Sequence, residues 1–200
     1  MLKKVDKKIM KQIIYIIAFS LMQLGLYSQD TIRNGLYEIV YSQALEQPLH
    51  IKYKVLCPFG QASRAGMSFW KPDSIHTSDG ADYEDNIWDR GHMVPANSFN
   101  CNREILYETF NYINIALQHR SLNRGVWARL EQFEKDLAKF YEVIVEIDVI
   151  FKGPPNRLIT GAFVPSGFKK IIKFDNKQIV LYFPNEDTSG SVWYDFIISE

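Results

Sequence analysis

The chain of 200 residues is short of several things, and each shortage narrows what it can be. It has no net charge, with 23 Lys and Arg against 23 Asp and Glu. No global cationic field therefore announces a polyanionic partner, which would need a local basic patch. It has only two cysteines, Cys57 and Cys101. They permit a single disulfide, which the sequence leaves open, and they lack the spacing of a zinc-ligand set. It has no internal repeat, no low-complexity tract and no long linker, which leaves one domain of ordinary globular composition with enough chain for a sizeable core. It has no Gly-x-Ser-x-Gly elbow, although Ser98 and Ser121 lie near a histidine, so a nucleophilic-serine hydrolase has little support.

The one long apolar run is confined to the N-terminus. "MLKKVDKKIMKQ" carries five lysines and one acid, "IIYIIAFSLMQLGLY" follows, and "SQD" closes the segment. The run is short for a membrane span and contains Gln23, and the order basic, apolar, small is that of a secretory signal peptide. The expectation is a signal over residues 1–28, a single domain over residues 29–200, export to the periplasm or beyond, and no stable membrane association once the signal is removed. Taking away five Lys and Asp6 leaves 18 basic and 22 acidic residues, a charge of −4.

Along the rest of the chain, "GLYEIVYSQALEQPLHIKYKVL" reads as two strands joined by a turn near Gln47–Pro48, with Ile39 and Tyr41, then Ile51, Tyr53 and Val55, alternating. Residues 58–89 read as a long polar loop, so "DRGH" is expected on a loop. "REILYETFNYINIALQ" suggests a short helix and a strand, and "NRGVWARLEQFEKDLAKFYE" a long helix with Asn123 as its N-cap. Its apolar stripe would be Val126, Leu130, Phe133, Leu137 and Phe140. "VIVEIDVIF" suits a central strand, "GPPNRL" and "DTSGS" are turns, and "ITGAFVPSGFKKIIKF", "QIVLYFP" and "VWYDFII" add further strands. The sum is α+β.

Three features could carry chemistry. "WDRGHMVPANSFN" sets Asp89, Arg90 and His92 within four residues. An imidazole suits general-base work near neutral pH, and a guanidinium fork suits a phosphate. Asn123 follows His92 by 31 residues, and Asn is an oxygen ligand for a hard cation. At 100° per residue, Asn123, Trp127 and Glu131 step round one helix flank in increments of 40°, so Glu131 could hold waters of a hydrated Mg²⁺. Arg103, His119, Arg120, Arg124 and Arg129 form a basic cluster around these motifs.

"DRGH", "TFNYINIALQ" and "LNRGVWARLE", in that order and spacing, resemble the DNA/RNA non-specific endonucleases, over roughly residues 37–174. The resemblance implies a ββα-metal (His-Me finger) core with a mixed, largely antiparallel sheet and one long helix. It also implies a metal-dependent, sequence-non-specific endonuclease acting on DNA, RNA or both and leaving 5′-phosphates. By the same resemblance His92 is the general base and Asn123 the direct ligand of Mg²⁺ or Mn²⁺. Glu131 holds the metal through water, Arg90 contacts phosphate, and Asp89 supports the metal site. "SRAGMSFWKPDSI" adds Arg64 as a second phosphate-binding arginine, and Arg120 and Arg124 are further candidates for the substrate backbone. The chain departs from the family in lacking Pro between Asn114 and Gln118, in reading "FKGPP" after the long helix, and in ending soon after "YDFIISE", where many members continue with a helix. The competing reading is an inactive nuclease-fold module that only binds nucleic acid, and a homodimer is left open.

Overall fold

A computed structural model of the chain describes residues 29–199. The expected signal over residues 1–28 lies outside the described residues. Seven strands form one antiparallel sheet: β1 (Gln29–Arg33), β2 (Tyr37–Ser42), β3 (Gln47–Lys54), β6 (Ile144–Ile150), β7 (Gly167–Phe174), β8 (Lys177–Pro184) and β9 (Ile197–Ser199), in that spatial order. Two more, β4 (Trp88–His92) and β5 (Ile115–His119), pair antiparallel by themselves. Helix α1 is Arg103–Glu108. A longer helical run opens with α2 (Arg120–Leu122), passes through a π-helical stretch (Asn123–Trp127) and ends in α3 (Ala128–Leu137).

The large sheet is one-sided, and its sequence shows why. β-branched and aromatic residues at every second position put Ile39 and Tyr41, Ile51 and Tyr53, Val145 and Ile147, and Phe168 and Ile172 on one buried face. The other face carries ion pairs such as Lys52–Glu146 and Lys173–Glu146. Val126, Trp127 and Leu130 of the helical run join the same core cluster as these strands. The hydrophobic area that this removes from water, at ~25 cal/mol per Å², is what fixes the helix over the sheet. Ala116 of β5 joins the cluster too, which ties the small strand pair to the helix above the sheet. "VIVEIDVIF" is the middle strand of seven, as its composition implied. Among the described residues no helix is long and apolar enough to cross a membrane.

Several local expectations give way to tertiary contacts. "DRGH" is a strand rather than a loop, because β5 supplies its hydrogen-bond partners. The turn before β3 closes on Glu46, at φ 53°, and Pro48 stands inside the strand next to a bulge between Val40 and Tyr41. Asn123 is no N-cap: the helix starts at Arg120, and the His119 side chain accepts from the Ser121 amide instead. Phe140 lies beyond the helix end and is 80% exposed, so the apolar stripe stops at Leu137. "VWYDFII" is a 3-10 turn (Trp193–Phe196) followed by the short β9. Cys57 and Cys101 form a disulfide across a sequence separation of 44 residues.

Candidate active site

Gly91 is the smallest part of the site and explains the rest of its packing. A Cβ at this position would come within 2.6 Å of Gln118 Oε1 and 2.7 Å of Gln118 Cβ. Only glycine lets β4 lie this close to the fully buried Gln118 of β5. The close approach sets Asp89, Arg90 and His92 around one cavity of about 560 Å³, shared with Arg64, Asn123, Arg124 and Glu131. Six of these seven residues come from the β4 strand and the helical run that follows its partner strand. Arg64 comes from the long loop.

His92 is held from two sides. Its ring lies 5.4 Å from the Phe69 ring and 5.2 Å from that of Phe110. Behind it, Asn114 receives the Val94 amide at 2.7 Å and donates to the carbonyls of Val94 and Thr109, while the Asn114 carbonyl accepts from Met93. The Nε2 atom is out of contact with solvent and has no hydrogen-bond partner. Burial of the ring, and then the Arg64 charge, push its pKa down to about 4. His92 is therefore a neutral imidazole with an open nitrogen at physiological pH.

Asp89 organises the side of the cavity next to the helical run. Arg124 grips it with two bonds of 2.7 and 2.6 Å, and the Asn123 amide nitrogen donates to it at 3.0 Å. Partial burial works to raise the Asp89 pKa, but the bonds from Arg124 and Asn123 outweigh it and the carboxyl lies below the ordinary aspartate value. A carboxylate only accepts, so the Asn123 side chain must turn its NH₂ toward Asp89, which leaves its carbonyl oxygen free of that contact. A hard cation takes such an oxygen. Glu131 lines the same cavity, and burial pushes its pKa up to about 8; Glu134 adds to the rise, while Lys170, the Trp127 N–H and Arg64 oppose it. Among the described residues no group of three or more His, Cys, Asp or Glu is arranged to hold a metal ion. The donor set thus fits a hydrated, oxygen-loving ion held by few protein ligands rather than a thiolate- or imidazole-rich centre.

The arginines divide. Arg90 is fixed by Tyr112 Oη at 3.1 Å and the Gly80 carbonyl at 3.3 Å, with its guanidinium 5.0 Å from the Tyr83 ring centroid and 5.5 Å from that of Phe69. Arg64 is exposed on the cavity rim. Arg120 stands outside the cavity, on the carbonyls of Asn86 and Ile87. Arg129 bonds the Ser191 carbonyl, and His119 bonds Ser121. Arg103 donates to the carbonyls of Ser63 and Ala65, one on each side of Arg64. Lys135 braces the same loop from the helix, with its ammonium on Gly60 O, Asn97 Oδ1 and Asn100 Oδ1 at 3.0–3.2 Å. These braces, and the aromatic set Phe69, Tyr83, Phe110 and Tyr112, were missed by motif reading. The dense aromatics of "ETFNYIN" were the signal that could have found the second pair.

A strand pair that feeds a helix, with His92 on a strand and Asn123 on the helical run lining one cavity, is the arrangement of a ββα-metal nuclease fold. The comparisons with known proteins agree. The family model of the DNA/RNA non-specific endonucleases matches residues 19–197, and the chain belongs to that family. It is 30% identical over 86 residues to mitochondrial endonuclease G of Bos taurus, covering 42% of this chain and 29% of that protein. It is 37% identical over 87 residues to the mitochondrial nuclease EXOG of Xenopus laevis, covering 42% and 24%. The matched stretch is under a third of either relative's length. A crystal structure of the EndoG/EndoGI complex shares the fold, with a TM-score of 0.74, 22% identity, and coverage of 84% of this chain and 80% of that one. These relatives correct the expectation of export: they are mitochondrial nucleases, not secreted ones.

Proposed function

We propose that the chain is a metal-dependent endonuclease that hydrolyses phosphodiester bonds of DNA or RNA without sequence preference. The observation that carries this reading is the Asp89–Asn123 contact: it occupies the Asn123 NH₂ and leaves the amide oxygen free, on a residue that lines one cavity with Glu131 and His92. Asn123 would hold Mg²⁺ or Mn²⁺ directly and Glu131 through water. When bound, the ion would withdraw charge from a phosphate oxygen and the leaving 3′ oxygen.

The chain's own groups do the rest. His92 accepts a proton from the attacking water, and its low pKa keeps it able to do so. Arg90, clamped by Tyr112 and Gly80, offers preorganised donors to the phosphate where charge grows. Arg64 brings a second guanidinium at the rim. Arg124 is already spent on Asp89, so its part is to hold Asp89 and, through it, Asn123. Contacts of this kind read the backbone and not the bases.

The test is cleavage of plasmid and of RNA by the purified protein, with Mg²⁺ or with EDTA, repeated for His92→Ala. The expected outcome is cleavage that EDTA stops and a loss of about 10²–10⁴-fold in the variant. A folded His92→Ala protein that cuts at the parent rate would remove His92 from the mechanism. Tight binding without nicking by the parent would mean a binding module.

A further inference from the structure

A fully buried ion pair lies directly beneath the site, and neither the chemistry above nor the motif accounts for it. Lys170 of β7 and Glu134 of α3 are both inaccessible to solvent, with Nζ and Oε1 2.6 Å apart in a charge contact outside hydrogen-bond alignment. The Tyr53 hydroxyl, from β3, donates to the other Glu134 oxygen at 2.8 Å. The same Lys170 ammonium stands 4.3 Å from the centroid of the Trp127 ring. That ring is walled by Phe168 and Phe183, with centroids at 5.5 and 5.4 Å. Its N–H is buried and has no hydrogen-bond partner.

Stability alone does not explain such a pair. Burying two charges costs about as much as their attraction returns, and an apolar pair of similar volume would hold the core equally well. What an apolar pair would not do is choose one rotation of the helix. Apart from Lys170 and the Tyr53 hydroxyl, the sheet face under the helix is apolar, and ridges of such residues admit neighbouring packings of similar energy. An ammonium from β7, a hydroxyl from β3 and a carboxylate from α3 meet in one register only. Glu131 lies one turn before Glu134 on the same helix. At ~5–6 Å from the helix axis, a rotation of about 10° moves a carboxylate by about 1 Å, and a misplacement of that size can cost ~10²-fold in rate.

We infer that the Lys170–Glu134 pair, latched by Tyr53, is a positioning device that fixes the rotation of the helix on the sheet and, with it, the placement of Glu131 in the cavity. The functional consequence rests on the nuclease reading, whereas the geometric coupling does not. Lys170, Glu134 and Tyr53 are positioning residues, since none of them lines the cavity.

The experiment uses Lys170→Met/Glu134→Leu, which removes both charges and leaves neither unpaired. The first readout is the indole N–H resonance of Trp127 in ¹⁵N-labelled protein, assigned with Trp127→Phe. The second is kcat and the Mg²⁺ concentration at half-maximal cleavage. The double variant is expected to fold, to shift the Trp127 resonance, and to lose about 10–100-fold in kcat with KM for DNA held. Lys139→Met, which breaks only the exposed pair with Asp136, is expected to change neither readout. Tyr53→Phe, which spares the ion pair, is expected to give a smaller shift of the same sign. A folded double variant with the parent's Trp127 resonance and kcat overturns the proposal. If the double variant does not fold, an unmoved resonance in Tyr53→Phe overturns it. A parent that cuts no nucleic acid would sink the nuclease reading, and the indole resonance would still decide the coupling.

Discussion

At His92, burial and a neighbouring charge act in the same direction. The ring lies against Phe69 and Phe110, and Arg64 faces it across the cavity, so the protonated form is disfavoured twice and the pKa falls to about 4. In the proposed mechanism His92 therefore stays competent as general base far below the ordinary histidine value. The acid limb of kcat/KM is expected to bend near pH 4–5 and not near 6.5. Arg64→Gln should move the bend upward, because it removes the second of the two causes. A limb at pH 6.5 in the parent would mean that the ring is solvated when substrate is bound. Stability follows the same group. A depressed histidine favours the folded state above its unfolded pKa of about 6.5, and that contribution fades as pH falls from there toward 4.

Glu131 runs in the opposite sense. Burial holds its pKa up to about 8 against an ordinary 4.5, so at neutral pH the metal-free carboxyl is largely protonated. Its effect on stability turns unfavourable as pH rises from 4.5 through 8, the window in which the unfolded chain gives up the proton first. In the proposed site, a divalent ion held at Asn123 would need the carboxylate. Mg²⁺ binding at pH 7 is thus expected to release close to one proton, which calorimetry in two buffers of different ionisation enthalpy would measure. Glu131→Gln should abolish the release and stabilise the metal-free protein above pH 8. A binding heat that is the same in both buffers would show that Glu131 is already ionised.

At the scale of elements, the helical run carries the site in a way that a plain α-helix would not. Asn123 sits in a π-helical stretch, with Gly125 at φ −102° and ψ −107°, and Glu131 follows in regular α-helix. A π stretch adds a residue to a turn and re-aims the side chains before it relative to those after it. Deleting Gly125 should return the run to α-helical register and rotate Asn123 by about 100°, out of contact with Asp89. The expected result is a loss of ~10²-fold or more in kcat, with the helical signal in far-ultraviolet circular dichroism retained. Full activity in the deletion would mean that the π stretch is incidental.

This element also shows where the sequence could be read and where it could not. The spacing from His92 to Asn123 and Glu131 pointed to residues that line one cavity, because "DRGH" and "LNRGVWARLE" are local patterns. The helix start was misplaced, since Asn123 is a good N-cap in isolation and only the His119 cap and the strand before it displace the boundary. The strand character of "DRGH" was hidden for the same reason. Gly91 and Arg90 have little intrinsic strand preference, and the hydrogen bonds that make them a strand come from residues 115–119. Arg103, Lys135 and Asn114 could not be recognised as braces at all, because their partners are backbone carbonyls and amides far along the chain.

For the molecule as a whole, the disulfide is the longest-range covalent constraint. Cys57 and Cys101 flank the segment that carries Arg64, β4 and the cavity, and they close a loop of 44 residues. Chain entropy gives such a link about 4 kcal/mol, and measured values often fall to 2–4. Cys57→Ser/Cys101→Ser is expected to lose about 2–4 kcal/mol in a denaturant titration. KM for nucleic acid should rise more than kcat falls, since Arg64 stands on the released loop and His92 on a paired strand. A variant that lost kcat alone would place the constraint on the strand and not on the loop.

Net charge supplies the last prediction. The described domain has no excess of cationic residues, so attraction to a polyanion must come from the few arginines that face the cavity. Arg64 and Arg90 are available, while Arg124 is neutralised by Asp89. Each phosphate that a protein neutralises on duplex DNA contributes about −0.9 to the slope of log K against log salt. Two free arginines then imply a slope of about −2, shallow beside proteins that bind through a broad basic face. Asp89→Asn should release Arg124 and steepen the slope by about one, even as it disorders Asn123 and lowers kcat. Filter binding of duplex DNA in EDTA across a salt series measures this without any cleavage. A parent slope of −5 or steeper would mean that phosphates are held well outside the cavity, and Arg120, Arg129 and the exposed lysines would then be the residues to remove next.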